Sequence, residues 1–169
     1  MTGETCSNIR PVSEASEIGK VVDLARVIWT EHYSPIIGID QVRYMLASYH
    51  SRAAIETDIA KSGARYFLID NHGRDVGYLS FRTEGDSLFL SKLYVLSSDR
   101  GQGLGRRALD FVRDQAERGA LRSVRLTVNR NNSGSIAAYE RFGFVKTGEV
   151  IADIGEGYVM DDYSMEWNV

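Results

Sequence analysis

Arg100-Gly101-Gln102-Gly103-Leu104-Gly105-Arg106 is the stretch on which the reading of this chain turns. It stands between an apolar run ending near Leu96 and an amphipathic segment, Gly103 to Arg118, whose Leu104, Ala108, Leu109, Val112 and Ala116 share one helical face. Glycines at alternate positions let the backbone turn so that several N–H groups converge. A helix start behind them adds unpaired donors and the positive end of its dipole. The product is an anion site suited to a polyphosphate, with full charge supplied by Arg100 and Arg106. Spacing separates it from other phosphate loops. A Walker-type loop needs Gly-Lys followed by Ser or Thr, which Gly105-Arg106-Arg107 does not supply. A dinucleotide fingerprint needs its third glycine three positions after the second, where Arg106 stands, and belongs in an initial strand-helix unit. A glycine-rich turn that only caps a helix is the plainer alternative.

Outward from the loop, the periodicity predicts one α/β domain over residues 1–169. A short strand from about Ile9 to Ser13 precedes a helix capped by Ser13, with an apolar stripe through Ile18, Val21, Val22, Ala25 and Ile28, ending near Trp29 or Thr30. Glu31 to Gly38 reads as an aromatic-rich loop because it holds Pro35 and Gly38. Asp40 caps a second helix through Val42, Met45, Leu46 and Tyr49, and a third runs from about Ser51 to Lys61. Strand alternation then takes over at Tyr66–Ile69, Val76–Phe81 and Leu88–Leu96, an antiparallel meander joined at Asp70–Gly73 and Glu84–Asp86. After the glycine loop and its helix come a strand at Val124–Val128 and a short helix capped by Ser133 and ended by Gly143. Two closing strands follow, around Gly143–Val150 and Tyr158–Trp167.

Composition narrows the function. The 169 residues hold 20 Lys or Arg against 23 Asp or Glu, a net charge of −3, and the pI is near 5.6. No basic footprint for a nucleic-acid backbone is present. Cys6 is the single cysteine, so neither an intramolecular disulfide nor a cysteine zinc site can form, and His32, His50 and His72 lack ligand spacing. No metal is expected. The polar N-terminus lacks the apolar core of a secretion signal, and no window approaches the ~18 apolar residues of a membrane span. A cytoplasmic protein that does not meet the membrane is expected.

The glycine loop with its flanks resembles the GNAT superfamily of acyl-CoA-dependent N-acyltransferases. That family's signature is Arg or Gln, two residues, Gly, one residue, then Gly or Ala, which Arg100 to Gly105 matches in full. Leu93-Tyr94-Val95 matches the strand whose backbone bonds the pantetheine arm in relatives, and Asn129 to Phe144 resembles the family's second block. The resemblance implies a mixed, mostly antiparallel sheet of six to seven strands with helices on both faces. It also implies acetyl-CoA as cosubstrate in a splayed gap between the fourth and fifth strands. Separated parallel strands leave backbone groups unpaired, and an extended arm with two amides satisfies them as a pseudo-strand.

By the same resemblance Leu93, Tyr94, Val95, Arg100, Gly101, Gln102, Gly103, Leu104, Gly105, Arg106, Asn132 and Tyr139 hold the cosubstrate. Tyr139 also stands where a hydroxyl protonates the departing thiolate; a phenol near pKa ~10 suits that task. An amine would attack the thioester directly, since Cys6 has no histidine near it in sequence to make it an acyl carrier. One departure stands out. Better-marked branches carry a glutamate base on the fourth strand, whereas no carboxylate lies between Asp86 and Asp99 here. The base is left to Glu31, Glu84 or an acidic residue of the last hairpin, reached through water. Acceptor contacts are expected from Glu31, Tyr33 and Tyr158, and the hairpin carboxylates Asp153, Glu156, Asp161, Asp162 and Glu166 suggest a cationic amine such as a polyamine or an amino-acid-like molecule. A peptide or protein N-terminus as acceptor, or a non-catalytic acyl-CoA-binding module, remain the alternatives. Homodimers are frequent among relatives.

Overall fold

The computed structural model describes residues 9–169; Cys6 lies outside that range. The chain runs β1 (Ile9–Pro11), α1 (Ala15–Ile37), α2 (Ile39–Tyr49), α3 (Arg52–Lys61), β2 (Arg65–Asn71), β3 (Arg74–Glu84) and β4 (Ser87–Val95). It continues through α4 (Leu104–Arg118), β5 (Ser123–Asn129), α5 (Ser133–Phe142), β6 (Val145–Gly155) and β7 (Tyr158–Asn168). The strands form one sheet in the order β1-β2-β3-β4-β5-β7-β6, with β4 and β5 as its parallel pair. Side chains alternate across it. Phe67, Leu79, Leu88, Leu126 and Met165 face α4 and α5 in one core, while Tyr66, Leu68 and Tyr78 face α1, Val42 and Ile55 in another. Helices thus cover both faces. No helix among the described residues is long and apolar enough to cross a membrane.

Two features open the sheet where the site lies. First, β4 and β5 pair only at Ser87↔Ser123, Leu88↔Val124 and Phe89↔Arg125, after which they separate. β5 stays paired to β7 along its whole length, to Asn129↔Asp162. Second, β4 carries a bulge: Lys92 opposes Ser80 and Leu90 opposes Phe81, so Ser91 is the extra residue. A bulge bends its strand and shifts the parity of its side chains. Leu88 and Leu90 face the α4 core before it, and Leu93 and Val95 face it after, which turns Lys92 and Tyr94 toward α1.

Several boundaries differ from the sequence reading. The segment expected to be a loop, Glu31 to Gly38, is the end of α1, which runs on through Pro35 to Ile37. Near a helix end the proline removes one backbone bond, and the turn still closes with the Gly38 N–H on Ser34 O at 2.9 Å. Trp29 and Tyr33 stack at 4.2 Å along this extension and meet Tyr94 edge-on, so side-chain burial outweighs the local breaker. The N-cap of α1 is Glu14 rather than Ser13, and Glu17 accepts from both of their backbone N–H groups at 3.0–3.1 Å. Gly38, not Asp40, precedes α2, and Asn132, not Ser133, precedes α5. β6 runs on to Gly155, because its partner β7 pairs with it as far as Gly155↔Tyr158.

Candidate active site

The separation of β4 from β5 opens a cavity of about 1000 Å³. One side is backbone. The facing edges from Leu90 to Val95 and from Leu126 to Asn129 have no strand partner across the gap, and both runs line the cavity. At its mouth the chain turns through Gly101 and Gly103, at φ 76° and 78°, left-handed values that favour glycine. The first bond of α4 runs from Arg107 N–H to Gly103 O at 3.0 Å, so the N–H groups before it are the unpaired donors of a helix start. A Cβ built on Gly101, Gly103 or Gly105 would meet nothing within 4 Å, so each leaves open space beside the backbone. The loop is held from behind. Buried Asp99 accepts from Asn71 Nδ2 at 3.3 Å and Arg74 Nη2 at 3.0 Å, and Asn71 Nδ2 also donates to Gln102 Oε1 at 3.1 Å.

These placements sort the expected cosubstrate residues. Leu93, Tyr94, Val95, Arg100, Gly101, Gly103, Leu104, Gly105, Arg106, Asn132 and Tyr139 all line the cavity. The Leu104 side chain is in the core, so it offers its backbone to the opening, and the Gln102 side chain turns away to Asn71. Asn132 is buried with both ends of its amide engaged: Nδ2 donates to Tyr33 Oη at 3.3 Å, and Oδ1 lies 3.2 Å from His32 Nε2. Arg100 Nη1 donates to His32 Nδ1 at 3.1 Å, which makes Nε2 the ring's proton-bearing nitrogen toward Asn132. Burial and the Arg100 charge hold this histidine below its ordinary pKa.

The opposite side is built from side chains. Trp29, Tyr33, Ile37, Met45, Val159 and Met160 line it, supplied by the end of α1, by α2 and by the β6-β7 hairpin. The hairpin is tied to α2: Tyr44 Oη donates to Ile154 O, Gln41 Nε2 donates to Val159 O at 3.3 Å, and the Tyr44 and Tyr158 rings lie 5.1 Å apart. Two expected acceptor contacts are corrected here. Glu31 lies outside this cavity and accepts from Ser97 Oγ at 2.9 Å, because helical phase turns it away from Tyr33. Tyr158 packs against Tyr44 and does not line the cavity. The expected acidic cluster disperses as well. Asp153 Oδ1 accepts from the Gly155 N–H at 2.8 Å, Asp161 pairs with Arg130 at 3.1 Å, and only Asp162 of the five carboxylates lines the cavity.

On β4, the strand that lacks a carboxylate offers Lys92 instead. Its Nζ donates to Tyr49 O at 2.7 Å and to Tyr66 Oη at 2.8 Å, and lies 3.7 Å from Asp58. Burial lowers its pKa to about 8 against the pull of Asp58. His50 is buried against Trp29 and bonded to Tyr78 at 3.1 Å. Burial raises the Tyr139 and Tyr94 hydroxyls above the usual phenol value, so both are donors at any working pH. Among the described residues no group of three or more His, Cys, Asp or Glu is placed to hold a metal.

Unpaired parallel strand edges leading to a glycine-lined helix start, with two arginines beside it, define an acyl-CoA-dependent transferase. The comparisons agree. A family model described as an acetyltransferase (GNAT) domain matches residues 35–165. The chain belongs to the GNAT acetyltransferase family and is an acyltransferase with acetyl-CoA as cosubstrate. Its fold is similar to that of the PaiA N-acetyltransferase of Thermoplasma acidophilum, crystallised in complex with coenzyme A (17% identity, 98% of this chain and 100% of that one, TM-score 0.79). It is also similar to the ribosomal-protein-S18-alanine N-acetyltransferase of Escherichia coli (18%, 97% and 94%, TM-score 0.72). Ard1 of Thermoplasma volcanium is a third such likeness (21%, 96% and 97%, TM-score 0.73). At these identities the likeness is one of fold.

Proposed function

We propose that the chain moves the acetyl group of acetyl-CoA onto the primary amine of a small molecule with an apolar or aromatic body, by direct attack on the thioester. The observation that carries this reading is the largely aromatic and aliphatic wall of the acceptor side, Trp29, Tyr33, Ile37, Met45 and Met160, with the hairpin fastened to α2 by Tyr44 and Gln41. A peptide needs an open groove for several residues, and a polyamine needs more than one anionic contact along its length. Dispersal of the hairpin carboxylates argues against the second.

In this reading the backbone of Leu93, Tyr94 and Val95 bonds the amides of the cosubstrate arm, and the turn from Gly101 to Arg106 takes the diphosphate with Arg100 and Arg106 as counter-charges. Tyr139, rising from α5 into the gap, donates to the sulfur as it leaves. Its high pKa keeps it a hydrogen-bond donor that relays a proton from the attacking nitrogen. The cosubstrate contributes the activated acyl group; the chain contributes position and protons.

Thiol release from acetyl-CoA against a panel of arylalkyl amines, polyamines and peptides tests this. The expected result is turnover, with an arylalkyl amine competing best. Preferential use of a peptide N-terminus or of spermidine would overturn the acceptor assignment, and no thiol release above background would leave a binding module instead.

A further inference from the structure

Three carboxylates line the cavity: Asp58, Asp99 and Asp162. Asp58 is spent on Tyr66 Oη at 2.7 Å and on Lys92, and Asp99 on Asn71 and Arg74. Asp162 is 7% exposed and forms no ion pair among the described residues. Its place follows from register. It opposes Asn129, the last paired residue of β5, at the end where β5 has left β4. Met165 of β7 belongs to the core on the α4 side; strand alternation puts Asp162 on the α1 side, beneath Tyr33.

Among the described residues, the elements around it supply neutral groups or like charge. Tyr33 comes from α1, Tyr94 from β4 and Thr127 from β5, while β6 places Val150 opposite it. Its neighbour Asp161 is turned to Arg130. Burial pushes the Asp162 carboxyl up to about 6, opposed by the bond to Thr127 and reinforced by Asp161. A buried carboxylate without a cation is costly, and asparagine fills the same space without charge. Within the described residues the carboxylate has the Thr127 bond and no cation to balance it.

The other titratable side chains considered around the cavity are engaged or held protonated. β4 offers Lys92, a cation held by three partners. Tyr33, Tyr94 and Tyr139 are held protonated by burial. His32 has Arg100 on one ring nitrogen and Asn132 on the other, and His50 is bonded to Tyr78 behind Trp29.

We propose that Asp162 receives the ammonium of the acceptor and takes its first proton. This rests on the acetyl-transfer reading above. An alkylammonium gives one proton to the Asp162 carboxylate; its freed lone pair forms the N–C bond to the acyl carbon as the C–S bond breaks. The second proton leaves nitrogen for the sulfur through Tyr139. The products are the amide and a thiol, and Asp162 returns its proton to water when they leave. The acceptor class is then a primary amine that arrives as a cation, with one charge and an apolar body.

The test compares wild type with Asp162→Asn, using phenethylamine, a cation at pH 7, and phenylacetic hydrazide, a neutral nucleophile of similar length. With phenethylamine the variant is expected to lose about 10²- to 10³-fold in kcat while coenzyme A affinity stays within twofold. With the hydrazide it keeps its rate within a few-fold. Wild-type kcat/KM for phenethylamine falls as pH drops through about 6, and that limb disappears in the variant. Equal loss on both nucleophiles, or no loss on the amine, overturns the proposal. Calorimetric binding of phenethylamine to the coenzyme-A-loaded protein decides the ammonium contact even where no thiol is released. Affinity lost in the variant supports it, and equal affinity in both proteins, or none in either, overturns it. A wild type that binds the amine through Asp162 without turnover would refute the acetyl-transfer reading and leave this contact standing.

Discussion

The two sides of the cavity are made of different materials. The proposed cosubstrate side, from Leu93 to Arg106, presents mainly backbone: unpaired strand edges, left-handed glycines and the first N–H groups of α4, with the Arg100 and Arg106 side chains beside them. The acceptor side, from Trp29 to Met45 and across the β6-β7 hairpin, works through side chains delivered by three separate elements. Backbone recognition reads shape and charge that every CoA thioester shares, so it tolerates change in what surrounds it. Side-chain recognition depends on which residues meet, and so one fold can serve many acceptors. The two sides should therefore fail separately when mutated.

On the cosubstrate side the largest effect is expected from Gly105→Leu. No atom lies within 4 Å of a Cβ there, and its φ is not left-handed, so the side chain fits the fold and occupies the diphosphate's approach. Each hydrogen bond to a charged group that is lost costs about 1.5–3 kcal/mol, and losing two gives at least about 10²-fold weaker coenzyme A binding by calorimetry, with Tm unchanged. A variant that binds normally would move the diphosphate elsewhere. Next comes Tyr139→Phe, expected to cut kcat about ten- to a hundredfold while coenzyme A affinity holds. An unchanged kcat would remove the hydroxyl from the reaction.

On the acceptor side, apart from the loss of turnover expected at Asp162, the effects are smaller. Tyr44→Phe deletes the tie to Ile154 O, worth about 1 kcal/mol. It should raise the acceptor KM two- to fivefold without touching coenzyme A affinity, and a shift in the latter would show that the sides are coupled. The smallest is in stability. A carboxyl whose folded pKa is raised binds a proton that the unfolded chain has released between pH 4 and 6, so its charge lowers stability as pH rises through about 6. Asp162→Asn should raise Tm at pH 8 by about 2–4 °C, part of the charge's cost being screened, and the gain should vanish by pH 4. A destabilised variant at pH 8 would mean that the carboxylate has a partner.

The same contrast governs how much could be read beforehand. Glycine spacing encodes backbone geometry directly, so the loop, α4 and the meander were legible from Arg100-Gly101-Gln102-Gly103-Leu104-Gly105 and its flanks. What escaped depends on partners distant in the chain. Pro35 reads as a break, yet the Trp29 and Tyr33 rings carry α1 past it onto Tyr94. The Ser91 bulge sits inside unbroken alternation and shows only in the register with β3. Asp162 was one of five hairpin acids, and nothing local separates it from Asp161. The difference is one strand position, which sends one side chain to Arg130 and the other beneath Tyr33.

In the proposed binding mode the β4-β5 gap holds the cosubstrate by its backbone. Amide hydrogen exchange with and without coenzyme A tests it most directly. Slowed exchange is expected at residues 93–95 and 101–107, with the acceptor-side hairpin little changed. Protection spread over the hairpin and α2 with none at β4 or the glycine turn would contradict it.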